Sequence, residues 1–242
     1  MGATKYDAVT VTQMIVAVAG GKGGVGKTTV SLNLGAALEG VVVDGDLAAP
    51  DLPHEQGPGI HDVLAGTADP LEAVQTVGSV RVLSGGQELE GARAANLDRL
   101  ETVVGRLERM CGTVIVDCPA GLARDIGLYL DTADLVVLVT TPDPLARGDV
   151  TRTKELAVEL GTPISCVVIN TVTRYLEATD ACQAAIESAL GVGTVVVPFD
   201  SMVGEAQEEG QPIVDIDPES AAASRFEQVA TVVTRGKQRT SL

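Results

Sequence analysis

Seven short runs of β-branched and aliphatic residues recur along the chain: "MIVAVAG", "VVVDGD", "VRVLSGG", "GTVIVDC", "ADLVVLVT", "PISCVVIN" and "GTVVVPF". Most are continuously apolar and not alternating. A strand with one wet face would alternate with period two, so these read as strands buried on both faces of a mainly parallel sheet. Parallel neighbours need long crossover connections, and helix-compatible segments lie between the runs. One spans residues 28–39 and stops before Gly40, which reads as its C-cap. Another spans 97–110, with Leu97, Leu100, Val104 and Leu107 at helical spacing, and a third spans 145–160 before Gly161. The pattern predicts an α/β chain, a three-layer doubly wound sheet with helices on both faces, and a ligand site beyond the carboxyl ends of its strands.

No internal repeat and no Pro-, Gly- or Ser-rich linker divides the 242 residues. The reading is one domain over 14–235, a flexible N-terminal extension over 1–13 and a C-terminal tail over 236–242. The core must be aliphatic, because Trp is absent and the chain has only 3 Tyr and 2 Phe. Neither an h-region nor the myristoylation pattern occurs in the leader, and no apolar run reaches the ~18 residues of a membrane span, so a cytoplasmic location is expected. The four cysteines form no CxxC pair and sit in or beside apolar runs, which favours reduced core thiols. With 33 acidic against 17 basic residues the net charge is −16, which argues against a general nucleic-acid coat. Such an acidic, lysine-poor surface suits a salt-rich, halophilic cytoplasm, where repulsion is screened over roughly 3 Å at 1 M salt. "LAAPDLPHEQGPG" reads as a mobile loop. His54 and His61, in and just after it, read as solvent-facing or helix-start residues, since no metal spacing surrounds them.

Chemistry concentrates in "GGKGGVGKTT". Gly21, the four residues Lys22, Gly23, Gly24 and Val25, then Gly26, Lys27 and Thr28 satisfy GxxxxGK[ST] between a strand and a helix, the context a phosphate loop requires. Amides of such a turn converge on phosphate oxygens because no Cβ obstructs them, and the helix N-terminus adds partial positive charge. Lys27 is placed to meet the β and γ phosphates, Thr28 to offer its hydroxyl to Mg²⁺, and Thr29 to reach the α-phosphate. Asp117 ends the buried run "VIVD", where an isolated carboxylate is costly unless it meets a cation; Mg²⁺, directly or through a water, is the natural partner. "VVVDGD" ends with Asp44 and Asp46. Asp44 fits either a structural strand-end role or a hydrogen bond to the metal's water. Asn170 closes "SCVVIN", and the following "NTVT" lacks the Asp of an NKxD guanine reader, so adenine is favoured.

These motifs resemble the deviant Walker A P-loop ATPases of the MinD/ParA family, most strongly its MinD-like members. "DGDLAAPDL" looks like the family's switch I, "DCPAGLARD" like its Walker B and switch II, and "TTPDPLARGDVTRTKELA" and "VPFDSMVGEAQEEGQPIVDIDPESAAASRF" like its later segments. The resemblance covers about residues 14–230. It implies ATP and Mg²⁺ as cofactors, with Thr28, Asp46 and Asp117 at the metal. It also implies a nucleotide-sandwich homodimer in which Lys22 reaches the partner's ATP, and slow hydrolysis with Asp46 positioning the attacking water. Asn170 and the backbone near Pro198 and Phe199 would hold the adenine. The implied role is a spatial-positioning or assembly switch with an activating or cargo protein that the sequence does not identify. An ATP-dependent metabolic enzyme of the cobyric acid or dethiobiotin synthetase type is the alternative on this fold; Lys22 favours the switch. An iron-sulfur carrier is a third class, and the missing CxxC speaks against it. The chain ends "VATVVTRGKQRTSL", where Arg235, Lys237 and Arg239 have no Leu or Phe stripe beside them. That argues against direct membrane anchoring of the MinD kind, and the scarcity of cations argues against DNA binding.

Overall fold

Successive side chains of a strand point to opposite faces, so a continuously apolar strand feeds two separate cores at once. The computed structural model of the chain describes residues 13–85, 95–121, 125–172 and 176–240. Of the N-terminal extension only Gln13 is included, and residues 122–124 of the switch II segment lie outside the described residues.

All seven apolar runs are strands: β1 (Met14–Ala19), β2 (Val41–Asp44), β4 (Val80–Leu83), β5 (Thr113–Asp117), β6 (Leu135–Thr140), β7 (Ile164–Val172) and β8 (Thr194–Pro198). An eighth, β3 (Gln75–Val77), pairs antiparallel with β4 at the sheet edge. At three half-wet residues, "QTV", it carries no period to read. The order is β3-β4-β2-β5-β1-β6-β7-β8, and every pair except β3/β4 is parallel. β1 therefore lies inside the sheet with β5 and β6 beside it, where the chain's direction of winding reverses. Loops leaving the carboxyl ends diverge there and open a crevice.

The helices are α1 (Lys27–Ala37), α2 (Ile60–Ala65), α3 (Pro70–Ala73), α4 (Leu100–Cys111), α5 (Ile126–Thr132), α6 (Pro144–Leu160), α7 (Leu176–Leu190), α8 (Ser201–Glu208), α9 (Ile213–Ile216) and α10 (Ala221–Thr240). Ile15, Ala17 and Ala19 of β1 join Val114 and Val116 of β5 in one core, with Val104 and Leu107 of α4 and Tyr129 and Leu130 of α5. Met14, Val16 and Val18 face the other way, into a core with Val30, Leu32 and Leu34 of α1 and Phe226, Val229 and Val233 of α10. This is the three-layer sandwich that the sequence pattern predicts.

Three local expectations change. The first helix ends at Leu38, not at Gly40. Gly40 is glycine because it leads into β2 with a Cβ position only 3.0 Å from the Thr113 carbonyl oxygen, while Glu39 takes the left-handed turn at φ 50. The 97–110 segment starts as a 3-10 turn, Leu97–Arg99, capped by Asn96, whose side chain accepts from the Asp98 amide at 3.0 Å; the α-helix begins at Leu100. Residues 236–240, set apart above as tail, continue α10, and Lys237 pairs with Asp134 at 2.7 Å. Of the two histidines, His61 lies at the start of α2 as expected, and His54 is half-buried. His61 is buried near the start of α2, its Nε2 2.9 Å from the Leu47 carbonyl oxygen, and His54 Nδ1 lies 2.5 Å from the Ser84 hydroxyl.

Phe226 is fully buried between α10 and the sheet. Phe226→Ala is expected to destabilise the fold by about 3–5 kcal/mol through lost transfer energy and a cavity, read as a lower urea midpoint at unchanged m-value.

Candidate functional site

The loop between β1 and α1 is shaped by what crowds it. Gly24 and Gly26 take φ of 72 and 93, a region L side chains rarely enter, and turn the backbone into the first turn of α1. At Gly26 a Cβ would also stand 2.0 Å from Asn170 Nδ2, and at Gly21 one would stand 2.2 Å from the backbone of Asp149, so α6 packs directly on the loop. Gly23 and Gly24 are exposed, while Val25 is buried and anchors the loop in the α1 core. Lys27 is 9% exposed, and among the described residues the hydrogen bond its ammonium makes is a long 3.5 Å contact to the Lys22 carbonyl oxygen. A nearly buried cation so thinly partnered suits an anionic oxygen.

The register of β2 on β5 sets Asp44 opposite Asp117 at the ends of adjacent strands, both buried. Asp117 accepts from Thr28 Oγ1 at 2.6 Å and Ser31 Oγ at 3.1 Å; Asp44 accepts from the amides of Asp46 at 3.1 Å and Leu52 at 3.3 Å. Burial pushes the Asp117 carboxyl up to about 6, against the pull of the Thr28 hydroxyl and Lys27. Burial, and then the nearby Asp117, pushes Asp44 up to about 8. Two carboxylates in a dry place are short of positive charge, and a divalent cation supplies it. Mg²⁺ fits this donor set, since it takes one or two carboxylates with substrate phosphates and waters and needs no all-protein cage. Among the described residues no group of three or more His, Cys, Asp or Glu is arranged to hold a metal by itself.

Asp46 is half-buried one turn beyond, its Oδ1 accepting from the Ala49 amide at 3.1 Å. Gly45 between the two aspartates is gripped at both polar atoms. Its N–H donates to the Asp117 carbonyl at 2.9 Å, and its carbonyl accepts from the buried Tyr129 hydroxyl at 2.8 Å. Asn170 is buried and donates through Nδ2 to the Val25 carbonyl at 3.1 Å. Pro198 is half-buried at the end of β8, and Phe199 beside it is 61% exposed. Lys22 pairs with Asp143 at 2.8 Å, both side chains partly exposed.

Lys27, Thr28, Asp44, Asp117 and Asn170 thus converge on one loop, as their motifs imply, while Lys22 pairs with Asp143. Four further residues carry no motif. Ser31 could have been found from its position one turn after Thr28 on the same helix face. Tyr129, Asp143 and Gln207 could not. The last accepts a hydrogen bond from the Thr29 hydroxyl across 178 residues of sequence, tying α8 to the loop.

A family model described as ParA, NUBPL iron-transfer P-loop NTPase, matches residues 11–234. The chain is a MinD/ParA-family ATPase. An uncharacterized ATP-binding protein of Methanocaldococcus jannaschii is 33% identical over 97% of this chain and 92% of its own length. The cell division ATPase MinD of Pyrococcus furiosus has the same fold at a TM-score of 0.82 and 30% identity, over 92% of this chain and 99% of that one. MinD of Pyrococcus horikoshii, complexed with Mg-ADP, follows at 0.81 and 29%, over 91% and 95%.

As a member of this family the chain is an ATP-using enzyme. Its paired carboxyls make stability depend on pH. Both hold their protons to higher pH folded than unfolded, so between about pH 4 and about pH 8 the folded state binds more protons and stability falls as pH rises. In EDTA the urea midpoint is expected to decline from pH 5 to pH 8. Asp44→Asn should flatten the upper half of that decline, because Asp44 titrates last, and a parallel decline in the variant would refute the assignment.

Proposed function

We propose that this ATPase is a dimerising switch: ATP-Mg joins two protomers across their nucleotide sites, slow hydrolysis separates them, and surfaces of the dimer recruit a partner. The observation that carries the reading is the division of labour between the two lysines. Lys27 is folded into its own loop, whereas the ammonium of Lys22, five residues earlier, pairs with Asp143 beyond β6 and stays partly exposed. A cation held there is available to a neighbour's triphosphate. The ion pair that holds it is partly solvent-exposed, a class worth about 0–1 kcal/mol, so a phosphate can displace the carboxylate. A cation delivered in this way acts as an arginine finger does, an effect of about 10³ to 10⁵ in rate.

Within one protomer, the loop amides and Lys27 hold the phosphates, Thr28 and Asp117 hold Mg²⁺ with Asp46 beside them, and Asp44 stays behind as a hydrogen-bonded brace. When bound, Mg²⁺ would neutralise phosphate charge and help orient the γ-phosphoryl group. Asp46 orients the attacking water in line with the γ-phosphoryl group. Asn170 and the Pro198–Phe199 segment face the adenine. The setting is the salt-rich cytoplasm that the acidic surface suits; among the described residues no helix is long and apolar enough to cross a membrane.

The iron-transfer wording of the family model raises a cluster-carrying function. The cysteines weigh against it. Cys111, Cys118, Cys166 and Cys182 lie on four different elements or loops, and burial pushes the Cys118 and Cys166 thiols up, the latter to about 12. Cluster ligation needs thiolates.

Light-scattering mass with and without ATP tests the switch. Wild type is expected to become a dimer with ATP. Lys22→Ala should stay monomeric or lose hydrolysis by at least about 10³-fold. Asp46→Ala should bind ATP and dimerise but not turn over. A wild-type protein that stays single when saturated with ATP would sink the proposal. Asp143→Asn releases Lys22 in advance, so it should dimerise at a severalfold lower ATP concentration, and a higher requirement would show that Asp143 helps the interface instead.

A further inference from the structure

Asp46 stands at the apex of a three-residue turn. Directly after β2 the Leu47 amide donates to the Gly45 carbonyl at 3.1 Å and closes a γ-turn around it. Asp46 is tied from within as well: its own amide donates to Asp44 Oδ1 at 3.1 Å, and its Oδ1 accepts from the Ala49 amide at 3.1 Å. From Ala48 to Asp51 the chain is exposed, so the turn is the last enclosed part of the loop before it enters water.

Two side chains from elsewhere grip this turn at the carbonyls on either side of Asp46. The Tyr129 hydroxyl, on α5, donates to the Gly45 carbonyl at 2.8 Å, and His61 Nε2, in the first turn of α2, lies 2.9 Å from the Leu47 carbonyl oxygen. A carbonyl oxygen only accepts, so that Nε2 carries a proton and donates. Burial pushes the Tyr129 phenol up, which keeps its hydrogen in place. Tyr129 and His61 are 1% and 4% exposed, whereas Asp46 and Leu47 are half-buried. Gly45 leaves room for the phenol: a Cβ there would stand 3.3 Å from the Tyr129 ring and 2.6 Å from the Asp117 carbonyl oxygen. Two enclosed side chains thus direct their polar tips to the edge of the site, one to each flank of a single carboxylate.

We propose that Tyr129 and His61 are positioning residues that clamp the Asp46 turn from both sides, so that its carboxylate meets the attacking water at a fixed place. Both act through Asp46, and the proposal rests on the reading of Asp46 as the group that orients that water. A turn pinned at one carbonyl can pivot about it; pinned at two, it cannot. Displacing a positioning group by about 1 Å can cost about 10²-fold in rate. Releasing either end frees the same turn, so the two losses should not multiply.

Steady-state ATPase kinetics of the full chain test the clamp. Tyr129→Phe keeps the ring and loses the hydroxyl; His61→Leu loses the ring donor. Each is expected to lower kcat about tenfold or more while KM for ATP stays within about twofold of wild type. The double variant should be about as slow as the slower single one, and losses that multiply would overturn a shared turn. His61→Gln sets an amide N–H close to where Nε2 stands and should regain most of kcat. If the two tips merely satisfy their own buried polar groups, the urea midpoint falls and kcat keeps its wild-type value, which overturns the clamp. A raised KM with kcat unchanged overturns it too, since the turn then holds nucleotide and not the water. Asp46→Ala separates the failures. Wild-type turnover in that variant would refute the reading of Asp46, whereas an inactive Asp46→Ala beside a fully active Tyr129→Phe would refute the clamp alone. Tyr129→Phe preserves the packing of the ring and decides the question if His61→Leu does not fold.

Discussion

Asp44 and Asp117 stand in register at the ends of adjacent strands, both buried, and much of the site is arranged around that electrostatic cost. Two carboxylates so placed resist ionising together, and the protein answers with donors from every neighbouring element. Two hydroxyls of α1 reach Asp117, and two amides of the loop after β2 reach Asp44. Those four donors fix the start of α1 and the course of the switch I loop relative to the sheet. What they do not provide is a full positive charge; Lys27 supplies part of it, and a divalent cation fits the remainder.

Around this centre the contacts divide by burial into a frame and a moving part. Gly45, held by the Asp117 carbonyl and Tyr129, Val25, held by Asn170, and Gly21, packed beneath Asp149, belong to the frame. The hydrogen bonds at Gly45 and Val25 lie out of water, where breaking one strands a buried polar group at about 1–3 kcal/mol. The Lys22–Asp143 pair is in water and weak. The proposed switch would use this contrast: phosphate geometry that does not drift, beside a cation that changes partner at little cost.

The contrast also marks how far sequence alone could reach. Continuous apolar runs identify strands buried on both faces, and all seven were legible. β3 was not, because an edge strand of three half-exposed residues has no hydrophobic signature. Gly40 was legible as a glycine with a purpose but not which purpose: its constraint is the Thr113 carbonyl across the sheet, 73 residues away, and not the end of a helix. In the site, Lys27, Thr28 and Asp117 were readable because the chemistry of a phosphate loop is local or follows a strand end. Tyr129, Asp143 and Gln207 act on Gly45, Lys22 and Thr29 over separations of 84, 121 and 178 residues. No spacing rule connects such pairs; only the fold does.

The net charge of −16 sets one more condition on the site. The substrate is itself an anion, so the field of the whole chain repels it at long range, and the few lysines cannot reverse that field. Attraction must come from groups whose reach is short and whose strength survives salt. Lys27 meets this requirement because it is nearly buried, and buried pairs are screened much less than exposed ones. The loop amides meet it because they are fixed dipoles at contact distance. Lys22 does not, since it sits in water beside Asp143. Salt that screens the repulsion between substrate and surface therefore also loosens Lys22 from Asp143, while leaving the phosphate cradle intact. An acidic surface and a buried loop lysine are then compatible parts of one design: the lysine holds a nucleotide at short range whatever field the surface sets.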